Sequence, residues 1–165
     1  MAKKARKAKK TASPARGRAR RSAVKRPVAR TPASLLAAVR GAEHRYIGHV
    51  RLDVGRAGAA RVKRMIYPPG FHWAKDMKPI TGTELCMHAH VGFLVHGEIH
   101  IEYADGCIVE HKAPHVIAID PGHDGWVVGK EPAVMIEFDF GGDTVARMGM
   151  PGAHRHTAES GKLKA

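Results

Sequence analysis

From Tyr46 to Phe140 apolar and polar residues alternate in short runs, and the runs are separated by glycine, proline and aspartate. Successive side chains of a strand point to opposite faces, so such runs between turn signals predict half-buried strands. The pattern places them at residues 45–53, 60–67, 84–95, 98–103, 107–111, 115–119, 125–128 and 132–140, with a short extended piece at 71–73. Pro68-Pro69-Gly70 and Asp120-Pro121-Gly122 mark turns, and Ala104-Asp105-Gly106 is a strong hairpin signal. Gly92 marks a bend or bulge in the longest run. Helical periodicity is nearly absent; a helical turn or two is expected around residues 34–43, with Ser34 as N-cap and Gly41 near its stop. Many closely spaced strands without helices between them predict an all-β antiparallel sandwich or barrel. After Gly141-Gly142 the periodicity is lost.

Charge divides the chain differently from hydropathy. Of 165 residues, 28 are Lys or Arg, 15 are Asp or Glu, and the formal net charge is +13. Residues 1–40 hold 14 of the basic residues and no acidic one, which leaves 14 basic against 15 acidic from residue 41 onward. The positive charge therefore belongs to an arm, and the strand-forming part is close to neutral. Residues 1–32 also lack Leu, Ile, Phe, Trp and Tyr. Such a segment buries too little apolar surface to offset its ordering entropy, so a disordered basic N-terminal tail is expected. The expected organisation is a tail over 1–40, a β-domain over 41–142 and a flexible C-terminal tail over 143–165. No apolar run approaches the roughly 18 residues that cross a bilayer, and Arg40 interrupts the one short stretch resembling a signal core. Cys86 and Cys107 make no disulfide framework and read as thiols of a reducing compartment, the cytoplasm by default.

One run could carry chemistry. Glu84, Cys86, His88 and His90 are spaced by two, which on a strand aligns four candidate ligands on one face, opposite Leu85, Met87, Ala89 and Val91. Two imidazoles in a His-x-His pair can chelate a divalent ion, and a thiolate or carboxylate can add to them. The pattern is equally satisfied if the apolar row is the core and the polar row faces outward. His123, after a Pro-Gly turn, is a candidate third ligand. Trp73 and Trp126 suit either a pocket wall or an ordinary core, and Asp124 either orients His123 or caps a turn. No catalytic triad order, phosphate loop, dinucleotide fingerprint or paired CxxC occurs.

The runs CMHAHVGFLVHGEIHIEYADG and HVIAIDPGHDGWVVGKEP, preceded by PPGFHWAKDMKPITGTELC, resemble the cupin superfamily. They are most similar to small single-domain bacterial cupins with an HVGYVL-type first motif and a PPGHDAWVVGDEP-type second motif. The resemblance spans about residues 60–140 and implies an antiparallel jelly-roll barrel with a small molecule in its centre. It also implies a metal held by the His-x-His pair (His88 and His90), a glutamate just beyond it and the histidine of the second motif (His123). The glutamate slot falls on Phe93, Leu94 or Val95, none of them acidic, so Glu84 and Cys86 are the substitutes at hand. Zn, Fe, Mn and Ni are all compatible with the fold, and Cys86 favours zinc over iron. His72 stands where relatives often carry arginine and is either at the barrel mouth or packed in the core. Homodimers are implied by analogy.

Two classes of function follow. In one, the barrel binds a small molecule, with a divalent metal to polarise it, and catalytic residues remain unassigned. In the other, a non-catalytic sensory or binding module is tethered through residues 1–40 to nucleic acid or another polyanion. Without aromatic residues to stack on bases, the arm should bind without sequence preference. With about six phosphate contacts, log K should fall against log salt with a slope near −5.

Overall fold

The computed structural model describes residues 31–155. Nine strands make two antiparallel sheets: β1 Glu43–Ile47, β2 Val50–Ala57, β3 Ala60–Tyr67, β4 His90–His96, β5 Glu98–Tyr103, β6 Ile108–Lys112, β7 His115–Ile119, β8 His123–Val127 and β9 Ala133–Asp139. The large sheet runs β1-β2-β3-β9-β4-β7 and the small sheet β6-β5-β8. Single bridges from His72 to Trp126 and from Cys86 to His123 seat the chain between β3 and β4 along the free edge of β8. The order β3-β9-β4-β7 facing (residue 86)-β8-β5-β6 is that of a jelly roll. The expected antiparallel jelly-roll β-fold is thus present, as two facing sheets rather than one closed ladder.

The core lies between the sheets. Leu94, Ile117, Ile119, Met135 and Val50 are fully buried there, and burying each such side chain is worth about 1.5–3 kcal/mol. Gly92 belongs to this packing. A side chain there would fall on the carbonyl of Ile136 and lie 2.9 Å from Glu137 Cα, so β4 and β9 approach closely only because this residue has none. The bulge expected at Gly92 lies a little further on, where the β4–β9 register shifts between Leu94 and His96.

Several local expectations are corrected. The strand expected at 45–53 is two, because the chain turns at Gly48, whose φ is +56°. The extended piece expected at 71–73 is kept at His72, which bridges Trp126, but Trp73 already opens the first of two short helical turns, α2 Trp73–Asp76 and α3 Lys78–Thr81. The strand expected at 84–95 begins only at His90; residues 84–89 touch the small sheet through Cys86 alone.

Both domain boundaries also move. A helical turn, α1, forms at Ala33–Leu36, preceded by Pro32 rather than capped by Ser34. Buried Arg64 donates to the carbonyls of Leu35 (2.8 Å) and Ala37 (2.6 Å), and Thr31 bonds Glu131 and His96, so residues 31–37 are fastened to the large sheet. The disorder expected of the basic tail is therefore overturned for residues 31–37, and residues 1–30 lie outside the described residues. At the other end, Thr144–Met148 is helical, and His154 stacks on Tyr103 at 3.7 Å, so residues 143–155 are not a free tail.

Candidate functional site

A cavity of about 360 Å³ opens between the sheets. Cys86, His90 and His123 reach it from three different elements: the bridge segment, the first residue of β4 and the first residue of β8. Their ligand atoms lie within 4.8 Å of one another and all three residues are buried. The His90 and His123 ring centroids are 5.2 Å apart. Cys86 Sγ is 3.6 Å from His90 Nε2. A tetrahedral centre with bonds of about 2.3 Å to sulfur and about 2.05 Å to nitrogen sets those two atoms about 3.6 Å apart.

The second nitrogen of each imidazole is already fixed. His123 Nδ1 donates to the carbonyl of Asp120 at 2.6 Å, and His90 Nδ1 lies 2.9 Å from Glu137 Oε1. Both rings thereby direct Nε2 toward the thiol, the arrangement that outer partners impose on metal-binding histidines. Burial opposes ionisation of Cys86, but the bonds and charges of His123 and His90 outweigh it and bring the thiol down to about 6. Burial likewise disfavours a charged His90, yet the Glu137 charge and the bonds to Cys86 and Glu137 push it up to about 10. The two shifts support each other: ionised Cys86 and Glu137 on either side of His90 favour its charged form, and charged His90 favours the thiolate.

His88 belongs to a neighbouring network. Its Nε2 takes a hydrogen bond from Lys63 Nζ at 2.9 Å, and burial, reinforced by the charges of His90 and Lys63, lowers it to about 4, so it stays neutral. Lys63 Nζ also lies 2.9 Å from Glu137 and 2.7 Å from Asp139, and Arg61 holds Asp139 with two bonds. Burial raises Glu137 and Asp139, but their cationic partners win: Glu137 falls to about 2 and Asp139 lies well below the usual carboxylate range. A second possible ligand group, His88 with His90 and Glu137, shares His90 with the first. It is poorer, because the carboxylate is already bonded to His90 and His88 is committed to Lys63.

The remaining sequence candidates separate clearly. Glu84 is removed from the ligand set: its side chain is 84% exposed and pairs with Lys78 on α3. Trp73 lines the cavity, whereas His72, Trp126 and Asp124 do not. They form a cluster on the outer face of the small sheet, with His72 Nε2 3.1 Å from Asp124 and its ring edge-on to Trp126. Strand alternation causes this: His123, Gly125 and Val127 of β8 point inward, so Asp124 and Trp126 point out. Glu137, Lys63 and Asp139 were missed. The only sequence signal for them is that Arg61 and Lys63 share one face of β3 while Glu137 and Asp139 share one face of the last strand.

No family model matches the chain, and no curated protein matches it significantly. Among solved structures it is similar to an RmlC-like cupin from Shewanella frigidimarina, at 18% identity and a TM-score of 0.42, over 62% of this chain and 86% of that one. It is also similar to a Cupin 2 conserved barrel domain protein from Salinispora arenicola, at 16% identity and a TM-score of 0.45, over 68% and 93%. A cupin superfamily protein from Desulfitobacterium hafniense aligns over 69% and 89%, with 13% identity and a TM-score of 0.37.

Proposed function

We propose that this cupin-like domain binds a divalent metal through Cys86, His90 and His123 and a small molecule in the adjoining cavity. The observation that carries the reading is the donor geometry: three buried ligand atoms within 4.8 Å, with the sulfur–nitrogen separation of 3.6 Å that a tetrahedral ion requires. One thiolate and two imidazoles favour zinc over the harder cations. Three protein ligands leave a fourth position facing the cavity, as in sites where the ion meets a water or a substrate. A bound ion there would polarise an oxygen of the ligand. Glu137 and the Asp120 carbonyl orient the two imidazoles, and the apolar walls at Phe71, Trp73 and Met77 exclude water around the ligand's body.

Metal analysis of the full chain tests this. The purified protein should carry about one equivalent of a divalent ion, and both Cys86→Ser and His90→Ala should lose most of it. A folded wild-type chain that takes up no zinc, cobalt, iron, manganese or nickel would sink the reading.

A second reading rests on charge. With 14 basic residues and no acidic one, residues 1–40 suit a non-specific tether to nucleic acid or another polyanion. It is compatible with the first, because arm and cavity do not share residues.

A further inference from the structure

The inner face of β1–β3 changes character along its length. Near α2 it is apolar: Tyr67 of β3 rests on Phe71 with ring centroids 4.8 Å apart, and Met65 stands opposite Leu52. At the other end the residues facing the cavity are Arg56, Arg61 and Lys63, with Glu43 the one acidic lining residue; Arg45 starts from the Leu52 row and reaches back to Glu43. General basicity does not explain this clustering, because the chain from residue 41 onward holds 14 basic and 15 acidic residues.

Most of these cations are already matched. Glu43 takes Arg45 through two bonds of 2.7 Å, and Asp139 takes both Arg61 and Lys63. Arg56 is different. Among the described residues no carboxylate lies within ion-pair distance of it; its charge does reach Glu43, but that carboxylate is already bonded to Arg45. In the β2–β3 register it stands directly opposite Arg61, on the same cavity-facing side. Like charges directly opposed across a strand pair are destabilising. An anion seated between the two guanidinium groups would turn that repulsion into a two-sided clamp, for which arginine's fork of donors is suited.

We propose that the cavity takes an organic anion, its carboxylate or phosphate between Arg56 and Arg61, and its apolar body directed inward along the Met65 and Trp73 walls. This rests on the reading of the cavity as a ligand site. It adds the class of ligand: a molecule with one anionic end and an apolar end, lying past the Cys86–His90–His123 cluster. The charged end gives orientation, and the apolar walls supply most of the burial.

The test compares phenylpropionate, phenyl phosphate and the neutral phenylpropionamide on the full chain by calorimetry at low salt. At least one of the two anions should bind about tenfold more tightly than the amide, the difference that one charge-assisted clamp supports. Whichever anion is preferred identifies the head group. Arg56 is exposed, so Arg56→Gln leaves the fold intact and should shrink the preference about threefold or more, with amide affinity unchanged. Since the arm is present in both chains, it contributes equally to both. Equal binding of acid, phosphate and amide overturns the proposal, as does no binding of either anion or an unchanged preference in Arg56→Gln. Metal analysis of the same wild-type samples separates the two readings. A wild-type chain that takes up no divalent ion yet keeps the preference sinks the metal reading alone, and a wild-type chain that loads metal but shows no preference sinks the anion clamp alone.

Discussion

Glu137→Gln is the sharpest probe of the centre, because it alters charge with almost no change in shape. Glu137 is fully buried, accepts from His90 Nδ1 at 2.9 Å, and lies 2.9 Å from Lys63 Nζ. Glutamine keeps an acceptor for the His90 proton but loses the negative charge that makes the ring a stronger ligand. Outer partners of metal-bound histidines typically contribute about 10–100-fold to metal affinity. Since the amide still orients the ring, a loss near the lower end, about tenfold, is expected. The metal-free fold also weakens. Breaking a buried pair outright costs about 3–5 kcal/mol, but Lys63 keeps Asp139 at 2.7 Å and the amide keeps its bonds, so about 1–3 kcal/mol is expected. Zinc affinity by competition with a chromophoric chelator reads the first effect, and urea unfolding in EDTA reads the second. The pH dependence gives an independent check. His90 is raised to about 10, so near neutral pH the empty site carries a proton that zinc must displace, whereas Cys86, at about 6, is already ionised. Wild-type affinity should therefore rise with pH by about tenfold per unit, and less steeply in the variant, whose His90 has lost its charged partner. A folded Glu137→Gln protein whose zinc affinity and pH slope both match wild type would refute the role assigned to Glu137.

Three further outcomes are expected. Gly92→Ala should cost about 3 kcal/mol or more, because the added methyl meets the Ile136 backbone rather than a side chain that can move; a urea midpoint shift worth less than about 1 kcal/mol would refute the close approach of β4 and β9. His111 is buried and held down to about 4, first by burial and then by the His115 and His100 charges, so its neutral form stabilises the fold above about pH 6.5 and that contribution is lost as pH falls toward 4. Between those pH values wild type should lose up to about 3 kcal/mol more stability than His111→Leu, and equal slopes would show that the ring is solvated. Removing residues 1–30 takes away 13 basic residues while keeping the contacts of Thr31 and residues 35–37, so DNA retention at low salt should disappear with stability and metal content unchanged; undiminished DNA binding by the shortened chain would place the polyanion site on the domain.

Much of the fold was legible because strand alternation and turn chemistry agree in this chain. β3, β5 and β7 lie where the pattern put them, and the hairpin at Asp105-Gly106 joins β5 to β6, with Gly106 at φ +81°. The expectations failed where local pattern and tertiary packing separate. The row Glu84-Cys86-His88-His90 reads as one strand face, but the chain is irregular until His90, and Ala89 and His90 are both buried. The row contains Cys86 and His90 and brings Glu84 with them, while His123 is signalled by its place after the Pro-Gly turn. Glu137 and Asp139 were hidden by the rule that usually helps. In a strand whose other face is Val134, Ile136 and Phe138, alternation assigns the carboxylates to solvent. Here that apolar face is the outer one, with Phe138 37% exposed, and the carboxylates point inward to cations on β3.

That inversion is itself an argument about function. A fully buried carboxylate pair with its lysine, between two sheets, displaces apolar side chains that would fill the same space. Replacing a buried ion network by well-packed apolar residues is often neutral or stabilising, so such a network is weak evidence for stability as its purpose. The polar groups here are not scattered. Register places Lys63 beside Glu137 and Arg61 beside Asp139, while one step toward α2 the pairs are apolar: Met65 with Met135, and Leu94 with Met135. Charge is thus confined to one end of an inner face, where it meets the cavity and the imidazole of His90. The other buried ion pair of this sheet, Arg64 with Asp53, lies on the opposite face, so on the inner face the apolar pattern is broken at the cavity end, and local departures of this kind mark where a chain binds or reacts.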